Sequence, residues 1–245
     1  MDWHQRYIQQ ARWTAALRRY LFNQAGLENA HSILEVGCGT GAVLGELSNP
    51  NRMVIHGLDI DWQGLKLAAG NLPTNQFICG NAQRLPYQTA SFDLAFCHFF
   101  LLWVNDPEHA LQEMQRVVRP DGAVLAFAEP DYGGRIDYPE VFGELGRKQT
   151  RALHRQGANP LMGRQLAHLF TKLGFKEIET GVLGAQWKAA DKSFDWESEW
   201  RVLRHDLREM VTEPVLDDLQ SLDMQARNNG SRVLYVPTFY AWGRK

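Results

Sequence analysis

Hydrophobic positions along this chain follow two spacings that alternate with each other. From Trp3 to Gln24, apolar residues fall close to a 3.6-residue period, which predicts a helix. After it come short apolar runs of strand length, each followed by a helical stretch. We predict strands over residues 31–36, 53–58, 77–79, 92–97, 123–128, 175–183 and 233–242, and further helices over 41–47, 62–72, 107–118, 139–156, 161–173 and 193–227.

The clearest of these helices follows Asp106, whose side chain is suited to cap it, with Pro107 in its first turn. Its apolar residues recur on one face: Ala110, Leu111, Met114, Val117 and Val118. The turn Pro120-Asp121-Gly122 is expected to end this helix and to lead into the strand over 123–128. Gly174 is the expected C-terminal cap of the helix over 161–173.

Strands that alternate with helices indicate a mostly parallel sheet with helices on both faces. We therefore predict an α/β protein with a doubly wound, mostly parallel seven-stranded sheet. No segment rich in Pro, Gly or Ser divides the chain, and we expect a single domain over 1–245. Within it, we expect an N-terminal helix or lid over 1–30, a core over 31–183, a helical insertion over 184–230 and the last strand over 231–245.

Charge and composition narrow the classes of function. The 245 residues include 26 Lys and Arg against 28 Asp and Glu, a formal net charge of -2, whereas a dedicated nucleic-acid binder usually has a basic excess. No apolar run reaches the ~20 residues that cross a bilayer, and the N-terminus lacks the apolar core of a secretory leader. Cys38, Cys79 and Cys97 have no CxxC spacing, so we predict no metal centre. We expect a cytoplasmic protein of enzyme size.

A glycine-rich loop is the first candidate for chemistry. In ILEVGCGTGAVLGEL, Gly37, Gly39 and Gly41 follow the first predicted strand, where glycines permit a tight turn and a close approach of a ligand to the backbone. Glu35 precedes the loop, and Asp59 ends the second predicted strand, 22 residues after Gly37. This offset is near the ~20 residues at which an acidic side chain accepts hydrogen bonds from ribose hydroxyls.

Two kinds of cofactor site share such a loop. Because residue 42 is alanine, the loop fits the dinucleotide pattern G-x-G-x-x-A, and a nicotinamide cofactor stays an alternative. The acidic Glu35 and the spacing to Gly41 resemble instead the first motif of class I S-adenosylmethionine-dependent methyltransferases, E/D-x-G-x-G-x-G.

A longer stretch extends this resemblance. Residues 80–130 are similar to the branch that contains the ubiquinone and menaquinone biosynthesis methyltransferases: LPY…SFDLAF and RVVRPDG stand where that branch usually has LPF…SFD and RVLKPGG. The resemblance covers about residues 30–130. It implies a Rossmann-like methyltransferase fold, S-adenosylmethionine as the cofactor, and methyl transfer by in-line displacement to an O, N or C atom of a small-molecule acceptor.

The resemblance also implies where the cofactor would bind. The loop would contact its methionine part with Glu35 near the ammonium group, and Asp59 would bind the ribose hydroxyls. The implied cofactor-binding residues are Glu35, Gly37, Cys38, Gly39, Gly41, Asp59, Ile60, Asn81, Ala82, His98 and Phe99. Asn81 stands where the family commonly has an acidic residue facing the adenine. An amide can also form hydrogen bonds with the edge of the base, as donor or acceptor.

Three residues are candidates for catalysis on the acceptor: His98, Asp131 and Tyr132. His98 follows the fourth predicted strand, and an ordinary imidazole titrates near pH 6.5, which suits a base. Asp131, with Glu129, could bind a cationic acceptor, and Tyr132 could orient a hydroxyl. The alternative for this Pro- and Gly-containing segment is a solvated turn.

Two further groups of side chains could complete the site. His4, Arg6 and Tyr7 lie on the N-terminal helix, as part of a lid over the cofactor or as a solvated helix face. Tryptophans at 187, 196 and 200 could line an acceptor pocket or pack against the sheet.

The acceptor and its reactive atom stay open at this point, as does the oligomeric state. We expect no nucleic-acid partner and no integral membrane association. The alternatives to a methyltransferase are a non-catalytic S-adenosylmethionine-binding accessory protein and, less favoured, an NAD(P)-dependent oxidoreductase.

Overall fold

A seven-stranded, mostly parallel sheet organises the computed structural model, which describes residues 3–47, 53–184 and 196–245. The described strands are β1 (Ser32–Val36), β2 (Val54–Asp59), β3 (Gln76–Cys79), β4 (Phe92–His98), β5 (Val118–Pro130), β6 (Ile136–Tyr138), β7 (Lys176–Val182), β8 (Val233–Tyr235) and β9 (Thr238–Arg244). The sheet order is β3-β2-β1-β4-β5-β9-β7. The strands from β3 to β5 in this order are parallel, whereas β9 runs antiparallel to both its neighbours. The predicted fold class is confirmed.

Helices cover both faces of this sheet. They are α1 (Trp3–Ala25), α2 (Trp62–Asn71), α3 (Pro107–Val117), α4 (Val141–Arg155), α5 (Leu166–Lys172), α6 (Trp196–Leu207) and α7 (Glu213–Asn228). The caps follow the sequence pattern, since Asp106 accepts a hydrogen bond from the backbone N–H of His109 at 2.9 Å. Gly174, just after α5, has a φ of +72°, as the left-handed end of a helix requires.

Apolar residues of each strand alternate between two cores because successive side chains point to opposite faces. Leu34 of β1 packs in the core that includes α3 and α5, and its neighbour Ile33 packs in the core that includes α1 and α2. Phe22 of α1 contacts Phe96 and Phe127 edge-on, with ring centroids 5.1 and 5.0 Å apart. Burying such a ring stabilises the fold by about 1.5–3 kcal/mol and fixes α1 across the sheet.

The prediction of a helix over Gly41–Leu47 was wrong. The chain forms turns there and a short 3₁₀ segment over Leu44–Glu46. Seven residues that include two glycines are too few to offset the cost of starting an α-helix.

The turn at Pro120-Asp121-Gly122 is also placed differently. Helix α3 ends at Val117, one residue before the predicted end, and Val118 begins β5. The turn lies inside the bounds of β5 as a bulge, with a φ of +63° at Asp121. Pairing passes from Phe92 opposite Val118 to Leu94 opposite Ala123, so β5 has three more residues than β4 over this stretch and bulges there.

The single strand predicted over Val233–Trp242 is two strands. Pro237 lies between β8 and β9, and β8 pairs with the three-residue β6 in a separate two-stranded sheet. The helical stretch predicted over 193–227 is also two elements, α6 and α7, separated by a loop that contains Thr212; residues 193–195 lie outside the described part.

The order of the strands locates the binding crevice. Chain order reverses between β1 and β4, and ligands of open α/β sheets bind outside the carboxyl ends of the strands at this point. The glycine loop follows β1, and His98 is the last residue of β4. Asp59 is the last residue of the adjacent β2, so all three reach the same edge of the sheet.

Candidate functional site

A cleft of about 1410 Å³ opens at this edge of the sheet. Its floor is formed by the carboxyl ends of the strands, and its walls include residues of α1 and α6. Ligand pockets commonly measure about 300–1000 Å³, so the cleft has room for two ligands side by side. We call the part beside the glycine loop the cofactor half and the part beside α6 the acceptor half.

The glycine loop has the tight turn that its residues predict. Gly37, Gly39 and Gly41 all have positive φ, at +76°, +51° and +76°. The backbone N–H groups of Gly37 and Cys38 both donate to the carbonyl of Leu58, at 2.7 and 3.1 Å. Cys38 is buried and lines the cleft, and its burial raises the pKa of the thiol well above the ordinary value. It is therefore a neutral packing group.

The three glycines face different neighbours. A Cβ on Gly37 would lie 2.0 Å from Cδ2 of Phe100, and one on Gly39 would lie 3.3 Å from the ring of Tyr7, so the loop admits no side chain at Gly37. Gly41 does not line the cleft, because it packs against α2, where a Cβ would meet Ala68 at 3.2 Å.

Asp59 is fixed to the glycine loop by its own carboxylate. Its Oδ2 accepts from the N–H of Gly39 at 2.6 Å, and its Oδ1 accepts from the N–H of Asp61 at 2.9 Å. Each carboxylate oxygen has a further lone pair, so the group can also accept from ligand hydroxyls. Asp59 lines the cleft and is in position to do so.

Glu35 brings an unsatisfied oxygen to the cleft. The residue is 2% exposed, and among the described residues its Oε2 has no hydrogen-bond partner. Burial raises its pKa well above the usual range, although Arg18 opposes this shift. A buried oxygen without a donor is costly, so a ligand with a cationic donor would stabilise this carboxylate.

The residues expected around an adenine lie on one wall of the cofactor half. Ile60 is 76% exposed, Asn81 is exposed, and Ala82 is buried, yet all three line the cleft. The Asn81 Oδ1 accepts from the N–H of Gln83 at 2.9 Å, so its amide NH₂ is the group that can donate to a base.

At the end of β4, His98 lines the cleft but is held by α1. Its Nε2 lies 2.8 Å from Oγ1 of Thr14. Burial, and secondly Arg18, lower its pKa to about 3. The imidazole is therefore neutral near pH 7 and is a weak proton acceptor, which does not favour the role of base.

The turn after β4 is strained and held by a buried carboxylate. Phe99, which lines the cleft, has a φ of +50°, a conformation that costs of order 1–3 kcal/mol and persists only where the surroundings impose it. Glu129 imposes it: its Oε1 accepts from the N–H groups of Phe100 and Leu101 at 2.9 Å, and its Oε2 accepts from Leu102 at 3.1 Å. Glu129 is fully buried and is not available to an acceptor.

The two remaining catalytic candidates follow β5 and differ in position. Tyr132 lines the cleft, and burial raises its pKa to about 12, with Asp206 adding to the shift. Asp131 does not line the cleft, because its carboxylate accepts from the Arg164 Nη2 at 2.7 Å and from the N–H of Gly134 at 3.1 Å. The structure thus gives Asp131 a role in shaping the turn around Tyr132 and no open face toward an acceptor.

Helix α1 lies over the cofactor half as a lid would. His4 Nδ1 lies 2.8 Å from the Thr40 hydroxyl, and Tyr7 stands over Gly39 with a pKa raised by burial and by Asp59. Both contacts join α1 to the glycine loop or its flank.

The tryptophans expected in the acceptor pocket have different positions. Trp196 lines the cleft, with the Arg227 guanidinium 4.6 Å from its ring centroid. Trp200 is buried between α6 and its neighbours, where its Nε1 donates to Asp223 at 2.8 Å. Trp187 lies outside the described residues.

The sequence interpretation missed the charged face of α6. Glu199, Val202 and Asp206 follow one another at spacings of three and four residues, which places them on one helix face, and all three line the acceptor half. Glu199 forms an ion pair with Arg6 of α1. The period was readable in the sequence, but nothing local indicated that this face turns toward strands about one hundred residues earlier in the chain.

Fold and site together define a doubly wound α/β protein with a nucleotide-type ligand site at its strand ends. Residues 34–126 match the family described as Methyltransferase domain. The chain is 33% identical to the demethylmenaquinone methyltransferase of Renibacterium salmoninarum over 155 residues, 62% of each chain. It is 30% identical to the O-methyltransferase rstn1 of Aspergillus nomiae over 174 residues, 68% of this chain and 73% of that relative. The chain therefore belongs to the S-adenosylmethionine-dependent methyltransferase family, and the expected resemblance is confirmed.

Structural likeness agrees with this assignment at the level of fold. The [4+2]-cyclase SpnF superposes with a TM-score of 0.60 at 18% identity, over 94% of this chain and 80% of that one. The matches with three curated relatives span 51%, 62% and 47% of their lengths. Among the helices in the described part, none has the length and apolarity needed to cross a bilayer.

Proposed function

We propose that the protein transfers the methyl group of S-adenosylmethionine to a small-molecule acceptor bound in the acceptor half of the cleft. One observation carries the proposal: the unpartnered Glu35 oxygen, the Asp59 carboxylate and the side-chain-free surface at Gly37 share one wall. A ligand with an ammonium group and a ribose diol would satisfy both carboxylates. Family membership supports the choice of S-adenosylmethionine over a nicotinamide cofactor.

When bound, S-adenosylmethionine supplies a sulfonium-activated methyl group. Glu35 would accept from the amino-acid ammonium, and Asp59 from the ribose hydroxyls. Asn81 would donate to the adenine edge, and Ile60 would pack on its face. The rings of Phe99 and Phe100 would exclude water beside the methionine end, where the strained turn after β4 holds them.

On the acceptor side, the protein's main contribution would be position. Well-oriented reactants reach effective molarities of roughly 10⁵–10⁸ M, so orientation alone supplies a large rate gain. The Tyr132 hydroxyl would orient the acceptor, and Asp131 would act through the turn that carries Tyr132. His98, neutral at the end of β4, would fill the floor and donate or accept one hydrogen bond without taking up a proton.

The proposal is tested by isothermal titration with S-adenosylmethionine and with S-adenosylhomocysteine. We expect both to bind, and Asp59→Ala to weaken binding about 10- to 150-fold, because a charge-assisted hydrogen bond contributes about 1.5–3 kcal/mol. The matched control is Asp121→Ala near the amino end of β5 and outside the cleft, which should leave the affinity unchanged. Absence of binding to the wild-type protein at millimolar ligand would refute the proposal.

A second candidate is a cofactor-binding protein that does not transfer the methyl group. The structural likeness to a chain described as a [4+2]-cyclase supports this second candidate, because proteins of one fold can catalyse different reactions. It predicts binding of S-adenosylmethionine but no S-adenosylhomocysteine formed over a panel of acceptors. Detection of S-adenosylhomocysteine that depends on an added acceptor would exclude it.

A further inference from the structure

The acceptor half contains a carboxylate that has no cationic partner in the described part of the chain. Asp206 of α6 lines the cleft and is only 9% exposed. Its Oδ2 accepts from the Gln149 amide at 2.8 Å, and Gln156 is the other amide beside it. His205 and Arg6 act on it at longer range without forming an ion pair. Amide donors satisfy a carboxylate's hydrogen bonds but leave its charge, which is costly in a buried place.

The arginines around this half pair with carboxylates other than Asp206. Arg6 pairs with Glu199. Arg227 and Arg232 both pair with Asp223, with N–O distances of 2.9 and 2.7 Å. None of these arginines forms an ion pair with Asp206, so among the described carboxylates that line the acceptor half Asp206 is the one without a direct counter-ion.

Other walls of the same cleft suit a partly apolar ligand. Leu102, Leu153 and Val202 line the same cleft, as does the ring of Trp103, which is 50% exposed. Tyr132 lies close enough for the Asp206 charge to raise the pKa of its phenol. An aromatic or aliphatic body would pack on these walls while a cationic end meets the carboxylate.

We propose that Asp206 binds an ammonium group of the methyl acceptor and so selects amine-bearing apolar small molecules. The inference rests on the proposed function, since it takes this part of the cleft as the acceptor site. The ammonium group serves as an anchor, which fixes the acceptor whatever atom receives the methyl group. Gln149 is then a positioning residue, because it holds the carboxylate without contacting the ligand.

The test compares three probes that share a phenyl ring: 2-phenylethylamine, 2-phenylethanol and 3-phenylpropionate. Ligand-observed NMR titrations on protein saturated with S-adenosylhomocysteine give the three dissociation constants. We expect the amine to bind about tenfold or more tightly than the alcohol and the carboxylate to bind weakest. In Asp206→Asn the affinity for the amine should fall to the affinity for the alcohol. The exposed Glu209→Gln changes net charge equally and should keep the wild-type preference.

The outcomes separate this proposal from the function on which it rests. Equal binding of amine and alcohol to the wild-type protein, or an amine preference that survives in Asp206→Asn, overturns the proposal. If Asp206→Asn does not unfold cooperatively, Asp206→Ser removes the charge with a smaller side chain and takes its place. If S-adenosylhomocysteine does not bind, the proposed function fails, and the same titrations without it still decide whether Asp206 selects amines.

Discussion

The buried carboxylate of Glu129 should make the stability of this protein fall between acidic and neutral pH. Burial raises its pKa to about 7 despite three backbone N–H donors. In the unfolded chain the same group titrates near its ordinary pKa of 4.5. Between these two values the folded protein holds a proton that the unfolded chain has lost, so raising the pH favours unfolding. This contribution to stability is fully present below pH 4.5 and is lost as the pH rises through about 7.

The size of the effect follows from the two pKa values. Each pH unit in this window changes the free energy of unfolding by about 1.4 kcal/mol per proton, so the whole window corresponds to about 3 kcal/mol. Glu129→Gln removes the titration but keeps one carbonyl oxygen for Phe100 and Leu101. Its NH₂ would face the N–H of Leu102, which costs about 1–3 kcal/mol at every pH.

Urea unfolding followed by circular dichroism, from pH 5 to pH 8, measures both proteins. We expect the stability of the wild type relative to Glu129→Gln to fall by about 2.5 kcal/mol between pH 5 and pH 8, because most of the window between pKa 4.5 and about 7 lies in this range. Taking the difference removes the titrations that both proteins share. Glu209 is an exposed carboxylate outside the site, so the free energy of unfolding of Glu209→Gln should change with pH as that of the wild type does. A difference that stays constant over the whole range would refute the argument.

Two further predictions concern the site. Gly37→Ala should abolish the binding of S-adenosylhomocysteine measured by titration calorimetry, because the new Cβ would lie 2.0 Å from Phe100, and normal affinity would contradict this geometry. The control Gly70→Ala, whose Cβ would have nothing within 4 Å, should stabilise the protein by about 0.5–1 kcal/mol in urea unfolding. The His98 ring should show no titration in NMR spectra between pH 5 and pH 8, because its pKa is about 3, and a midpoint near 6.5 would show that the imidazole is more solvated than its contact with Thr14 implies.

How far the fold could be predicted depends on how local its causes are. Helix α3 was predicted with its Asp106 cap because both the cap and the apolar face are set by residues close together in the sequence. The 3₁₀ turn after Gly41 and the three-residue β6 were not, since elements so short have too few positions to show a period. Pro237 indicated the break between β8 and β9, because proline has no backbone N–H to donate to the hydrogen bonds of a sheet.

Most residues named for the cofactor half line the cleft, whereas the acceptor half contains charged side chains of α6 that the sequence interpretation did not name. Topology explains the difference. Glu35 is the penultimate residue of β1 and Asp59 the last of the adjacent parallel β2, so strand order alone brings them to the same end of the sheet. Asp206 reaches the same cleft only because α6 packs on α4, where Gln149 holds it, and no pattern within α6 encodes that docking. An acceptor wall built from such distant helices can change its side chains without disturbing the sheet. The side chains that select the acceptor, among them the proposed anchor Asp206, can therefore change while the cofactor half stays the same.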